Sequence, residues 1–383
     1  MITLKEIIPL VNQIQKDYEL CDSCLGRLFS KQMNLSSNKL LGKKLKLSSS
    51  KSTKKCFICK NLLDNLTPYL KLMFDVSSKY DYSSIVVGAL IKPSIIDRDD
   101  YIRSKYKLKG IDSVKTDITK ELGKRFTKKT KKRIDFLNPE LTFTINFKDE
   151  SCQLRSKPIL FHGRYTKSNR ELPQKQKSCA NCSGKGCRIC CFHGISEYDS
   201  VEGRISEFLF NKFGGTTAKF TWIGGEDKSS LVLGFGRPFF VKLQNPFKRN
   251  LSLPRKIISD SIVIHNCKII SDLPNPPIKF TSLIELKIST TNEIKSDTMK
   301  KLKSILSEPV VVYEKSGKRS EKIISYLKYK KNTKDCFTLF IKAEGGLPVK
   351  RFVDGDDVSP GICQILNDKC TCITFDFLEI NLK

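Results

Sequence analysis

Four Cys-x-x-Cys pairs punctuate this chain, at Cys21/Cys24, Cys56/Cys59, Cys179/Cys182 and Cys187/Cys190. Such a turn brings two thiolates onto one ion at a tetrahedral angle, and a second pair completes a closed structural site. The pairs therefore predict two structural zinc sites. The second set is the tighter one, because only Ser183 to Gly186 separate its pairs and two glycines let the backbone fold back. Cys191 and His193 follow directly, so the spacing leaves the fourth ligand of that set open. Two other readings compete: buried, reduced cysteines that simply pack, and disulfides. Lys5 and Glu6 interrupt the first apolar residues and no cleavage site follows, so a reducing, cytoplasmic setting is expected and disulfides are disfavoured.

With 383 residues the chain can bury real cores, in two or three domains. Its 69 Lys and Arg stand against 40 Asp and Glu, a formal charge of +29. That excess runs along the whole chain and makes nucleic acid the first partner to consider. A lysine-rich genomic bias is the alternative, but acidic residues have not risen to balance it. The longest apolar run, Ile85 to Ile91, is far short of the roughly 20 residues a membrane span requires. No membrane partner is expected.

Leu4, Ile7, Ile8, Val11 and Ile14 recur at helical spacing and lead into the first cysteine pair, where Gly26 is expected to stop the helix. Asn38 to Lys55 reads as a solvated Lys/Ser loop. Ile85 to Ile91 reads as a buried strand. Between Asp117 and Phe136, Ile118, Leu122 and Phe126 share one face of a basic amphipathic helix, and Leu141 to Phe147 alternates as a half-buried strand. The chain is thus expected to comprise residues 1–59 as a helix and four-cysteine zinc module, 60–155 as an α+β module and 156–383 as a third, strand-rich domain with a second four-cysteine cluster. In that domain a helix from Val201 ends at Gly214-Gly215. Strands follow at Ala218 to Ile223, Leu231 to Leu233 and Phe239 to Leu243, then at Ser261 to Ile270, Leu283 to Ile288, Phe337 to Lys342 and Ile373 to Ile380. Another helix is expected around Met299 to Leu306.

Only His162, His193 and His265 are available for imidazole chemistry. No Gly-x-Gly-x-x-Gly or Walker sequence is present, so neither an organic nor a nucleotide cofactor is expected. The segment from Gly224 to Phe239 combines adjacent acids, Glu226-Asp227, with Gly-Phe-Gly-Arg237-Pro-Phe, read as a tight turn presenting an arginine.

Six segments in register resemble the archaeal and eukaryotic tRNA pseudouridine synthases that act on the TΨC loop, the Pus10 family: Gly163-Arg164-Tyr165, Leu172-Pro173-Gln174, the Cys179 to Cys190 cluster, Ser200-Val201-Glu202, the Gly-Glu-Asp to Gly-Arg-Pro-Phe segment, and Phe352-Val353-x-Gly355-Asp356. The resemblance implies an α+β protein: an N-terminal zinc and THUMP-like tRNA-binding region, followed by a mixed or antiparallel-sheet synthase domain with a central cleft. It also implies isomerisation of uridine 54, uridine 55 or both in tRNA through an aspartate carboxylate, with zinc purely structural; a monomer is expected.

At the site this chain departs from the family pattern. The family's catalytic aspartate falls on Ser229, and the arginine after it on Leu231. The tyrosine that stacks on the target uracil falls within Gly346-Leu347-Pro348-Val349-Lys350, and an arginine-rich motif has become Tyr313-Glu314-Lys315-Ser316. Two readings follow. In one, Asp227 or Glu226 supplies the carboxylate, Tyr313 or Phe352 takes the stacking role, and Arg237, Arg164, Tyr165 and Lys350 contact substrate. In the other, the fold binds tRNA without isomerising it.

Overall fold

The computed structural model describes residues 4–30, 37–46, 55–109, 111–314 and 317–383. It divides into two compact units, Met1–Lys157 and Pro158–Lys383. Among the described residues no helix is long and apolar enough to cross a membrane.

The first unit holds helices α1 (Leu4–Asp17), α2 (Asp22–Ser30), α3 (Asn38–Leu45), α4 (Thr67–Ser77), α5 (Pro93–Lys105) and α6 (Val114–Thr130), and strands β1 (Ser84–Leu90), β2 (Arg133–Ile134), β3 (Leu141–Asn146) and β4 (Ser151–Ser156). The sheet order is β2-β1-β3-β4, with β1 parallel to both its neighbours. The two periodicities read from sequence meet in its core: Ile118, Leu122 and Phe126 of α6 are fully buried, as are Leu141, Phe143 and Ile145 of β3. Phe126 lies 4.8 Å from Phe74 and 5.1 Å from Phe143 between ring centroids. One hydrophobic cluster runs from Ile7 of α1 to Phe147.

Gly26 does not stop a helix. α1 ends at Asp17, and α2 carries Gly26 in its interior. A Cβ on Gly26 would fall 1.8 Å from the Asn38 carbonyl oxygen, and one on Gly42 equally close, 1.8 Å, to that of Asp22. These glycines let α2 and α3 touch backbone to backbone. The expected loop from Asn38 to Lys55 is corrected for the same reason: Leu41 and Leu45, one turn apart, bury against α2 while the lysines between them stay on the far face. Ser37 caps that helix, its hydroxyl accepting from Leu40 N at 3.4 Å. Residues 47–54 of the expected loop lie outside the described residues. The basic helix also ends sooner than Phe136, because Lys131 turns left-handed at its C-cap and Arg133–Ile134 pairs with β1.

The second unit begins with β5 (Ile159–Lys167), α7 (Val201–Phe213), β6 (Ala218–Trp222), β7 (Val232–Leu243), β8 (Lys256–Ser259), β9 (Ile262–Ile270) and β10 (Phe280–Thr290). It continues through α8 (Ser296–Lys300), a 3-10 turn, β11 (Val310–Tyr313), β12 (Arg319–Lys322), β13 (Ile324–Lys331), β14 (Cys336–Glu344), α9 (Val349–Asp354), β15 (Val358–Ser359), α10 (Ile362–Leu366) and β16 (Cys370–Leu382). Among the described residues the large sheet runs β13-β14-β10-β16-β7-β5-β9-β8, with β6 on β7. Its pairings are antiparallel except for β16 with β7. Most expected strands lie inside these elements, but two do not stand as separate strands: Leu233 and Phe239 belong to the continuous β7. The glycines between them make an irregularity within a strand, not a turn. Gly236 has φ +75°, and a Cβ there would sit 2.4 Å from the Tyr165 carbonyl oxygen of β5.

Replacing Gly26 with alanine is expected to destabilise the first unit by at least ~1–3 kcal/mol through overpacking, read by urea denaturation. An unchanged midpoint would refute the close α2–α3 contact.

Candidate active site and cysteine tetrads

Strand parity makes the site. Residues 159, 161, 163, 165 and 167 of β5 share the buried face, so Tyr165 and Lys167 point inward, both fully buried. A lysine sealed in a core needs a counter-charge. It finds Glu226 on the loop between β6 and β7: Lys167 Nζ lies 3.4 Å from Glu226 Oε1, and neither side chain is exposed. Arg237 Nε of β7 lies 3.3 Å from Glu226 Oε2, and the Tyr165 hydroxyl donates to that same oxygen at 2.9 Å. Burial pulls Lys167 below the ordinary lysine range, with Glu226 opposing, and pushes Tyr165 well up.

The rest of the loop hangs on this cluster. Lys167 Nζ donates to the carbonyls of Leu172, Asp227 and Lys228 at 2.9, 3.4 and 3.3 Å. Arg237 donates to Ile223 O at 2.7 Å, and Gln174 to Tyr165 Oη at 3.2 Å and Gly224 O at 3.3 Å. At the loop's exit, Arg170 grips both oxygens of Asp376 at 2.8 and 2.7 Å and the Ser229 carbonyl at 2.6 Å. Asp376 in turn accepts from Leu231 N at 2.8 Å.

Asp227 is presented at the loop's turn. Its Oδ1 accepts from Ser229 N at 3.0 Å and from the Ser229 hydroxyl at 2.7 Å, while Oδ2 accepts from Lys350 Nζ of α9 at 2.8 Å. The Asp227 and Lys350 side chains are 33% and 50% exposed. Lys350 first, then Ser229, hold the Asp227 carboxyl far below the usual carboxylate range. Adjacent acids thus have opposite settings: Glu226 is sealed and Asp227 opens to solvent.

The structure places the remaining candidates as follows. Arg164 does not extend into solvent; it donates to the carbonyls of Phe235 and Gly236 at 2.8 Å each and to that of Ile380, tying β5 to β7 and β16. Arg237 is fully buried, so the expected presented arginine is corrected to a buried counter-ion. Phe352 is fully buried in the core on α9, and Tyr313 is 46% exposed at the end of β11. Lys315 and Ser316 lie outside the described residues. Phe280, which sequence reasoning missed, packs on the loop's entrance: its ring would meet Cβ atoms on Gly224 and Gly345 at 2.7 and 2.3 Å. Lys167 was also missed, although its place on the Phe161–Tyr165 face of a strand would have revealed it.

Both cysteine sets converge. Cys21, Cys24, Cys56 and Cys59 form one group and Cys179, Cys182, Cys187 and Cys190 another, with all four sulfurs of each within 4.8 Å of one another. Four thiols at that separation fit one tetrahedral metal ion, and either tetrad could hold it. In the second, backbone N–H groups aim at sulfur: Gly186 N at Cys182 Sγ (3.2 Å), and Cys187 N and Gly194 N at Cys190 Sγ (3.2 and 3.3 Å). The Cys187 and Gly194 N–H groups bring the Cys190 thiol down to about 6, favouring the thiolate a metal needs. Cys191 is exposed outside the tetrad, and His193 bonds through Nδ1 to the Tyr198 hydroxyl at 2.8 Å.

An α+β protein with paired cysteine tetrads, a four-stranded module and a loop-borne carboxylate on a large mixed sheet matches two family models. Residues 69–146 match the archaeal Pus10 THUMP domain and residues 160–381 the Pus10 C-terminal domain. A tRNA pseudouridine synthase Pus10 of Nitrosopumilus maritimus is 63% identical over 100% of both chains. Its counterpart in Cenarchaeum symbiosum is 34% identical over 96% of this chain and 91% of that one, and that of Methanothermobacter marburgensis 29% identical over 95% and 96%. The chain belongs to the Pus10 family.

Glu226→Gln is expected to leave Lys167 and Arg237 buried without their shared anion, at a cost of roughly 3–5 kcal/mol. Chemical denaturation measures it; a variant as stable as the parent would show that the cluster does not organise the loop.

Proposed function

We propose that this protein converts uridine to pseudouridine in tRNA, at position 54 or 55 of the TΨC loop, with Asp227 as the reacting carboxylate. The observation that carries this is the pairing of a solvent-open, ionised Asp227 with a rigid buried anchor immediately beside it. The alternatives have other work. Glu226 is committed to two buried cations and a tyrosine, and the Ser229 hydroxyl is spent as a donor to Asp227. Ser229 therefore supports the carboxylate rather than standing in for it.

The reaction is an isomerisation. The bond from ribose C1′ to N1 breaks, a bond from C1′ to C5 forms, C5 gives up its proton and N1 ends protonated. Asp227 acts on the ribose, either attacking it or removing a proton. The target base must first leave its stack, at a cost of a few kcal/mol offset by contacts in the pocket. Lys350 keeps Asp227 anionic and fixes its orientation, since misplacement of about 1 Å costs roughly a hundredfold in rate. The chain's cationic excess and its THUMP-matching region supply phosphate contacts for tRNA.

Asp227→Asn should lower product formation on unmodified tRNA by on the order of 10⁴-fold or more while tRNA binding persists. Because Asp227 titrates below its ordinary value, the wild-type rate should stay flat as pH falls toward 4. Lys350→Ala removes the largest cause of that lowering and moves the carboxyl back toward its ordinary range, so its single-turnover rate should start to fall at higher pH than the wild type's. Full activity in Asp227→Asn would transfer the role elsewhere; no product from the wild type under any condition would leave a tRNA-binding protein.

We further propose that the ion in both tetrads is zinc and that it is structural. Metal analysis should then return two zinc ions per chain, one per tetrad, and chelation should lower the melting temperature. Zinc-free protein with an unchanged melting curve would refute this.

A further inference from the structure

Beside the second tetrad, and using none of the residues around Asp227, the second unit carries a solvent-open cavity of about 410 Å³. The rings of Phe192, His193, Phe210 and Phe247 line it, Lys212 and Lys248 also border it, and no carboxylate is among its lining residues. His193 is locked in place: its ring lies flat on Phe210, 3.8 Å between centroids at 9°, and its Nδ1 is bonded to Tyr198. Phe192 is the opposite case. The residue is 50% exposed, and it stands at φ +64° directly after Cys191 at φ +49°. Two consecutive non-glycine residues in the left-handed region are unfavourable, and here the bond from Phe192 N to Cys187 O, 2.8 Å, holds them there. The metal knuckle thus holds an aromatic ring out at the cavity instead of packing it.

The size suits a ligand, and its chemistry narrows the choice. Flat aromatic walls select a planar ring, and two lysines without a carboxylate select an anion. A nucleotide joins both, its base against the rings and its phosphate at the lysines. We infer that this cavity binds an unstacked nucleotide of the tRNA other than the one being isomerised, an assignment that rests on the tRNA reading above. An acidic peptide would satisfy the lysines but leave the rings unused.

Full-length, zinc-loaded protein and an unmodified tRNA transcript test it by fluorescence anisotropy over a salt series. Phe192→Ala should weaken binding roughly fivefold to hundredfold, while Phe192→Tyr retains it. Phe192 adjoins a tetrad, so Lys248→Glu provides the independent arm: it should weaken binding and reduce the salt slope by about one. Short oligouridylate should compete better than polyglutamate. Wild-type affinity in Lys248→Glu, or in a zinc-replete Phe192→Ala, overturns the assignment, as does better competition by polyglutamate. Asp227→Asn separates the two readings. If it binds tRNA like the wild type and Phe192→Ala does too, only the cavity assignment falls. If the wild type binds no tRNA, the functional reading falls and the cavity assignment with it.

Discussion

A single buried carboxylate, Glu226, holds the candidate site together. It draws Lys167 from β5 and Arg237 from β7 into the core, and those cations, with Gln174, fasten the backbone from Ile223 to Lys228. A buried charge cluster of this kind contributes little net stability compared with an apolar core. What it provides is position. The loop cannot move without breaking several desolvated contacts at once, and the residue after Glu226 is therefore held at a defined point with its carboxylate exposed.

The division of labour between neighbouring acids follows from burial and from the partners each one meets. Glu226 is identical in charge to Asp227, yet its oxygens face cations in the core while those of Asp227 face a lysine and a serine at the surface. The family-like segments acquire physical meaning from the same network. Leu172 offers a carbonyl to Lys167, Gln174 an amide to Tyr165, and Arg164 ties three strands through backbone carbonyls. Ser200 caps α7, its hydroxyl accepting from Gly203 N at 2.8 Å. These segments build the scaffold of the loop that carries Asp227.

In the first unit the decisive constraint is proximity. Gly26 and Gly42 allow α2 and α3 to meet without side chains between them. Arg27 of α2, fully buried, then reaches both oxygens of Asp99 on α5 and the Asp112 carbonyl. Asp99 accepts in turn from Val114 N at the start of α6. The helix carrying Cys24 is thereby linked to the helices that pack against the sheet, and the cysteine tetrad shares one core with the THUMP-matching region.

Local pattern in the chain was enough for the four Cys-x-x-Cys pairs, the basic helix α6, the alternating strand β3 and the end of α7 at Gly214, because each is encoded within a few neighbouring residues, whereas the grouping of the pairs into tetrads is seen only in the folded chain. It was also enough to single out the Glu226–Asp227 loop. It was not enough for the roles of glycine and arginine there: Gly26 reads as a stop and Gly236 as a turn until a second element is seen pressed against them, and Arg237 reads as exposed until Glu226 is found beneath it. Asp227 meets Lys350, and Lys167 meets Glu226, across dozens of residues or more. Sequence specifies which groups are present, whereas electrostatic partnership and burial depend on distances that exist only once β5, β7 and α9 have packed around the loop.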